Sequence, residues 1–136
     1  MSEVTIVAIV AVTEEGKVLL AEQFRAPVEK NVIEFPGGKT DLDEPLEQTA
    51  KRELLEETGY QARSIKFLAQ GPIHAGKSPA LIAFFLASGL RKISDGEDRI
   101  TLHEIPLKEI ESWLKQKERE NSWIDPGIYA GLYFLK

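Results

Sequence analysis

The chain has 136 residues, of which 43% are hydrophobic and 29% are charged, and its formal net charge is −5. This length suits one compact domain and is too short for two ordinary ones, so we predict a single domain over residues 1–136. An acidic chain is poorly suited to neutralising the phosphates of long DNA or RNA. We find neither an export signal nor an apolar run near the roughly 18 residues that cross a bilayer, and therefore expect a cytoplasmic protein without a membrane partner.

The first part of the chain predicts three strands separated by turn residues. The predicted strands cover residues 4–12, 17–24 and 32–35. All three are rich in β-branched or aromatic residues, which favour extended structure. Because a Glu-Gly turn signal separates the first two strands, we expect them to form a hairpin. The Pro-Gly-Gly triplet at residues 36–38 predicts the end of the third strand and a sharp turn.

The remaining chain carries helix and strand signals in turn. A helix is predicted over residues 45–58, with Pro45 at its first position. Glu44 is a weak cap for this helix, and Gly59 is well placed as its left-handed stop. Further strands are predicted at residues 64–70, 80–87 and 99–105, and two C-terminal helices are predicted after Pro106 and after Asp125-Pro126.

One side of the helix at residues 45–58 changes from apolar to acidic along its length. At about 100° per residue, Glu53 and Glu57 lie roughly 40° apart, with Glu56 close beside Glu53. Leu46 and Ala50 begin the same stripe. A solvated acidic face is one interpretation, but carboxylates near a helix C-terminus oppose the helix dipole and repel each other, so a cation is the natural compensation. Because the chain has no cysteine, oxygen ligands favour Mg²⁺ or Mn²⁺.

The spacing of residues 38–60 resembles the Nudix box, G-x5-E-x7-R-E-U-x-E-E-x-G-U, in which U is an aliphatic residue. Every specified position matches except the last, where Tyr60 stands. The preceding Glu-Phe-Pro-Gly-Gly and the order of the elements are also similar to that family. The resemblance implies an α/β protein, built as an α/β/α sandwich with a central mixed sheet. It also implies hydrolysis of a nucleoside diphosphate linked to another group.

The resemblance further implies roles for individual residues of the box. Glu53 and Glu57 would be the main carboxylate ligands of Mg²⁺ or Mn²⁺, and the Gly37 carbonyl would be a backbone ligand. Glu56 would be a further ligand or the catalytic base. The residues that support the site would be Gly38, Glu44 and Arg52.

Residues outside the box would complete the site. Glu97, on a loop before a predicted strand, is our candidate for the general base, with Asp98 as the fallback; the alternative is an exposed turn. Arg25 would contact a substrate phosphate or ribose. Lys39 is a candidate phosphate contact, and His74 is a candidate substrate contact from the loop before residues 80–87.

The segment at residues 21–38 resembles the ADP-ribose pyrophosphatase branch of the Nudix family. The expected substrate is therefore ADP-ribose or a nucleotide sugar, cleaved to a nucleoside monophosphate and a phosphorylated product. One alternative is a (d)NTP pyrophosphohydrolase, which the compact size and Phe-Pro-Gly-Gly-Lys also resemble. Another is a Nudix-fold nucleotide sensor without catalysis. The expected partner is a small-molecule nucleotide, with a homodimer possible, although we do not expect the extra N-terminal sheet of that branch.

Overall fold

The strands and helices follow one another in nearly the predicted order. The computed structural model describes residues 4–41 and 43–136. Its strands are β1 (Thr5–Ala11), β2 (Lys17–Arg25), β3 (Lys30–Glu34), β4 (Gly37–Lys39), β5 (Tyr60–Pro72), β6 (Leu81–Lys92), β7 (Thr101–Pro106) and β8 (Trp123–Ile124). Its helices are α1 (Leu46–Thr58), α2 (Ile110–Arg119) and α3 (Gly127–Leu132). None of the helices in the described ranges is both long and apolar enough to cross a bilayer.

The strands form two four-stranded mixed sheets. The first sheet has the order β4-β1-β6-β5, and the second has the order β7-β2-β3-β8. β1 runs parallel to β6 and β3 runs parallel to β8, whereas the other neighbours are antiparallel. The mixed α/β architecture is therefore confirmed, with the strands divided between two sheets.

β1 is buried on both faces because it lies between two hydrophobic cores. Val7 and Ile9 pack in one core with Leu54 of α1. Ala8 and Val10 point the other way, into a core that includes residues of α2 and α3. This double burial explains why β1 is a continuous apolar run rather than an alternating one. The two cores also agree with the expected layers, because α1 packs on one side of the strands and α2 and α3 pack on the other.

The chain turns at both predicted places, but the strands that follow pair differently from what was expected. β1 and β2 belong to different sheets and are linked by an isolated bridge between Val12 and Val18, so they do not form the expected hairpin. β1 and the first half of β2 are apolar on both faces, and alternation therefore could not identify their partners. The Pro-Gly-Gly segment also does more than turn, because Gly37 and Gly38 begin β4 and pair with Ala8 and Val7 of β1.

The ends of α1 differ in how well the sequence predicted them. The left-handed stop is confirmed, since Gly59 has a φ of 80° and its N–H donates to the Leu55 carbonyl 2.9 Å away. At the other end, Pro45 is the extended residue before the helix rather than its first residue. The capping role of Glu44 is wrong, because no side chain caps this end and Glu44 bonds to Thr49 and Arg52 instead.

Tyr60, the residue that departs from the box pattern, connects the first sheet to the second. Its ring is buried in the core beneath α1. Its hydroxyl donates a hydrogen bond to Glu104 Oε1 on β7, 2.9 Å away. Burial, followed by this hydrogen bond, raises the pKa of the phenol to about 12. An aliphatic residue here would fill the core but could not make the bond to β7.

We expect Tyr60→Phe to lower the free energy of unfolding by about 1–2 kcal/mol at pH 7, because the bond to the carboxylate is lost. The pKa is raised on folding, so the hydroxyl stabilises the protein below about pH 10 and stops doing so as the pH rises through 12. Urea unfolding at pH 7 measures the difference. Tyr133→Phe, at an exposed tyrosine, is the control. Equal losses in the two variants would contradict this role of Tyr60.

Candidate active site

The three acids of the box differ in where α1 places them. The Glu53 side chain is 15% exposed, whereas that of Glu56 is 51% exposed. Glu57 is half-buried, and its carboxylate accepts a hydrogen bond from the Gly37 N–H at 3.1 Å. A Cβ added at Gly38 would lie 2.6 Å from Glu53 Cδ. Gly38 therefore lets the β4 backbone approach the Glu53 carboxylate closely, and the neighbouring Gly37 N–H bonds the Glu57 carboxylate.

Arg52 ties the start of the box to its acids. Its Nε and Nη2 donate to the two carboxylate oxygens of Glu44, each at 2.9 Å. Its Nη1 donates to Glu53 at 3.0 Å and to Glu56 at 3.4 Å. Hydrogen bonds from Arg52 and then Thr49 lower the pKa of the Glu44 carboxyl to about 2. The guanidinium thus orients Glu53 while Glu44 holds the guanidinium, a supporting arrangement often found behind metal ligands.

Negative charge is concentrated where it is poorly solvated. Burial, together with the charges of Glu53 and Glu97, raises the pKa of the Glu57 carboxyl to about 8, against the lowering effect of the hydrogen bond from the Gly37 N–H. The pKa of Glu53 is also raised, first by burial and then by Glu56 and Glu97, against the lowering effect of Arg52. Buried carboxylates in mutual repulsion are costly when ionised. A bound cation would offset the free-energy cost of ionising these carboxylates.

The donor set fits a hard divalent cation. Carboxylate oxygens from Glu53 and Glu57, with a backbone carbonyl such as that of Gly37, are the ligands that Mg²⁺ and Mn²⁺ prefer. Within residues 4–41 and 43–136, no three His, Asp or Glu side chains are already gathered as a metal site. Glu53 and Glu56 are instead hydrogen-bonded to the Arg52 guanidinium.

A cavity of about 290 Å³ opens beside β4 and brings several of the predicted residues together. Arg25, Lys39 and Glu57 all line it, as do Gly37 and Gly38. His74 is exposed in the loop between β5 and β6 and is not part of the lining. The structure therefore joins two of the three predicted substrate contacts to the box and leaves the third apart.

Three polar residues of the cavity wall were not predicted as site residues: Gln23, Glu34 and Asp125. Arg25 donates to both oxygens of Glu34, from Nε at 2.8 Å and from Nη2 at 3.2 Å, which fixes the direction of its guanidinium. Burial, followed by the charge of Glu34, raises the pKa of the Asp125 carboxyl. Asp125 reaches the cavity because β8 pairs with β3. A two-residue strand is too short to show any sequence periodicity.

Glu97 lies on the loop between β6 and β7, as predicted. Arg99 donates to its carboxylate at 2.9 Å. Its charge contributes to the raised pKa values of both Glu53 and Glu57. The loop contacts the C-terminal end of α1, since a Cβ at Gly96 would lie 2.6 Å from the Glu57 carbonyl oxygen.

The match to known proteins agrees with this geometry. The NUDIX domain family matches residues 2–125, which is most of the chain. The chain belongs to the Nudix hydrolase family. Its Nudix fold is also seen in a solved structure described as an ADP compounds hydrolase, with a TM-score of 0.75 at 22% identity, covering 84% of this chain and 63% of that one. That likeness concerns the fold alone.

Two relatives of this Nudix chain are similar over most of its length. The "Methanol dehydrogenase activator" of Bacillus methanolicus is 35% identical over 116 residues, which cover 82% of this chain and 63% of that protein. The "ADP-ribose pyrophosphatase" of Bacillus subtilis (strain 168) is 33% identical over 117 residues, with the same 82% and 63% coverage. The chain thus matches less than two thirds of the length of either relative.

Proposed function

We propose that this Nudix chain is a metal-dependent pyrophosphohydrolase that cleaves ADP-ribose or a nucleotide sugar. The observation that carries the proposal is the placement of Glu57 in the wall of the same cavity as Arg25 and Lys39. The carboxylate of Glu57 suits a divalent cation. The side chains of Arg25 and Lys39 suit the phosphates of an anionic substrate. The B. subtilis relative is named an ADP-ribose pyrophosphatase, which supports ADP-ribose as the first substrate to test.

Each residue of the site has a distinct part in this reaction. Glu53, Glu57 and the Gly37 carbonyl would hold a Mg²⁺ or Mn²⁺ ion, which would neutralise charge at the phosphates and polarise the P–O bond. Glu97 accepts a proton from the attacking water, and the exposed Glu56 is the alternative base. The water oxygen forms a new bond to phosphorus while the bridging P–O bond breaks. The products are a nucleoside monophosphate and a phosphorylated sugar.

A substrate panel tests the proposal. The purified chain is assayed with Mg²⁺ and with Mn²⁺ on ADP-ribose, nucleotide sugars, dinucleoside polyphosphates and (d)NTPs. We expect ADP-ribose or a nucleotide sugar to give the highest kcat/KM. Hydrolysis confined to triphosphates would replace the substrate with a (d)NTP. Tight nucleotide binding without any hydrolysis would identify a sensor and reject the enzyme.

We expect Arg25→Ala to raise KM about 10–100-fold with little change in kcat, because a charge-assisted contact to a phosphate stabilises the bound substrate by about 1.5–3 kcal/mol. Arg25→Lys should recover only part of this affinity, since lysine cannot make the paired bonds to Glu34 that direct the guanidinium. Steady-state kinetics measure both constants. Arg91→Ala, on the exposed end of β6, is the control. A wild-type KM in Arg25→Ala would remove Arg25 from the binding site.

A further inference from the structure

The loop that carries Glu97 is bonded to the end of α1. The N–H groups of Ile93 and Ser94 donate to the Gly59 carbonyl, at 2.8 Å and 3.2 Å. A Cβ at Gly59 would overlap the Ser94 carbonyl, so the two backbones are in direct contact. Gly59 belongs to the box, and this contact therefore fixes the loop to the same helix that carries the acids.

A second glycine makes the contact closer to Glu97. Gly96 has a φ of 79°, and a Cβ there would lie 2.6 Å from the Glu57 carbonyl oxygen and 3.1 Å from the Thr58 carbonyl carbon. The obstacle is helix backbone rather than a flexible side chain, so it cannot rotate away. Any side chain at position 96 must push the loop away from α1.

The backbone contact is a stronger constraint on Glu97 than its own ion pair. Arg99 donates to Glu97, but its side chain is 79% exposed. Exposed ion pairs contribute about 0–1 kcal/mol and do not fix a side chain firmly. The residue immediately before Glu97, in contrast, is packed against the peptide that follows Glu57. The distance between Glu97 and the box acids therefore depends more on the contact at Gly96 than on the ion pair with Arg99.

From this contact we propose that Gly96 is a positioning residue, which keeps the Glu97 carboxylate within working distance of Glu53 and Glu57. The inference rests on the proposed function, in which Glu97 is the general base. A displacement of about 1 Å at a catalytic group costs about 10²-fold in rate. A loop pushed outward by a single methyl group would move Glu97 on that scale.

Gly16 supplies a matched control for the backbone conformation. It also has a φ of 79°, but a Cβ there would meet nothing within 4 Å. Gly16→Ala and Gly96→Ala therefore carry similar conformational strain. Only the change at Gly96 adds a collision with α1. A difference between the two variants isolates the contact from the strain.

The kinetic test is a double-mutant cycle with Gly96→Ala and Glu97→Gln. We expect Gly96→Ala to lower kcat about 10²-fold with KM nearly unchanged, and Gly16→Ala to keep the wild-type kcat. The double variant should be no slower than Glu97→Gln alone, because Gly96 acts through Glu97. Losses that multiply in the double variant, an unchanged kcat in Gly96→Ala, or an equal loss in Gly16→Ala would each overturn the proposal.

A second test measures metal binding and does not depend on turnover. Calorimetric titration with Mn²⁺ alone should show a several-fold weakening in Glu97→Gln, which removes a negative charge near the box acids, and a smaller weakening in Gly96→Ala, which moves that charge away from them. Gly16→Ala should bind like the wild type. Wild-type affinity in Gly96→Ala beside weakened affinity in Glu97→Gln would overturn the proposal. A chain that hydrolyses no pyrophosphate would reject the proposed function, while this titration would still test the contact.

A second variant covers the case in which Gly96→Ala does not fold. Insertion of one glycine between Gly96 and Glu97 keeps the contact with α1 and lets Glu97 move away, and surface loops tolerate such insertions well. Circular dichroism confirms the fold. The insertion should reproduce the loss of kcat in Glu97→Gln, and a wild-type kcat would overturn the proposal.

Discussion

Glu57→Gln and Glu53→Gln should each reduce metal-dependent turnover by at least about 10³-fold, which corresponds to about 4 kcal/mol of transition-state stabilisation. Both carboxylates point inward from α1 toward β4, and glutamine keeps their shape while removing the charge that a divalent cation requires. Steady-state kinetics at saturating Mg²⁺ measure the loss. Glu47→Gln, at an exposed position of the same helix, is the control and should retain the wild-type rate. Near-normal turnover in both inward variants would remove the metal site from this helix.

Although Glu57→Gln should reduce turnover, it should increase the stability of the metal-free protein, which is measured in excess chelator. Burial raises the pKa of this carboxyl from 4.5 to about 8, so the folded state favours the protonated form. Stability from this group is fully present below pH 4.5 and is lost as the pH rises through 8. Thermal melts from pH 5 to pH 8 should show a decline in the wild type that is weaker in the variant. Parallel melting curves would contradict the burial cost assigned to Glu57.

Arg52→Met should lower turnover about 10–100-fold, the loss typical of residues that orient metal ligands. It should also lower Tm by several degrees, because the inward Glu44 carboxylate loses both of its bonds to the guanidinium. Arg52→Lys should restore little, since an ammonium cannot bond Glu44 through two nitrogens and reach Glu53 as well. Lys51→Met, at an exposed neighbour on α1, is the control.

In Arg52→Met, the loss of stability and the loss of activity should have different causes: an unpaired Glu44 for the first and an unsupported Glu53 for the second. Adding Glu44→Gln removes the unpaired carboxylate and should recover part of the Tm, but it should not recover turnover, because Glu53 still lacks its partner. Lowering the pH should also reduce the difference in Tm between Arg52→Met and the wild type. Arg52 holds the pKa of Glu44 near 2 instead of 4.5, so its stabilisation is present above pH 4.5 and is lost as the pH falls through 2. A wild-type rate in Arg52→Lys would contradict this account.

The box helix could be predicted because its information is local. The spacing of Glu53, Glu56 and Glu57 fixes which acids face inward, and Gly59 ends the helix through its own backbone conformation. Glu53 lies on the stripe that begins with Leu46 and Ala50 and is largely buried, whereas Glu56 lies beside that stripe and is exposed. Sequence spacing within one helix is therefore sufficient for this part of the site.

The cavity could not be predicted in the same way because pairing between distant strands builds it. Arg25 reaches Glu34 across β2 and β3, and Asp125 joins them through the two-residue strand β8. The division of β1 and β2 between two sheets also depends on tertiary contacts that two continuous apolar runs do not specify. The same holds for Gly96, whose importance lies in a contact with Glu57 that is distant in sequence.

The most direct test is the rate at which the purified chain cleaves ADP-ribose in Mg²⁺ and in excess chelator, followed by phosphorus NMR. We expect AMP and ribose 5-phosphate to appear in Mg²⁺, to stop appearing when the chelator is added, and to be absent with Glu57→Gln under both conditions. Product formation that continues at the same rate in chelator, or in Glu57→Gln, would contradict a metal-dependent site built on α1.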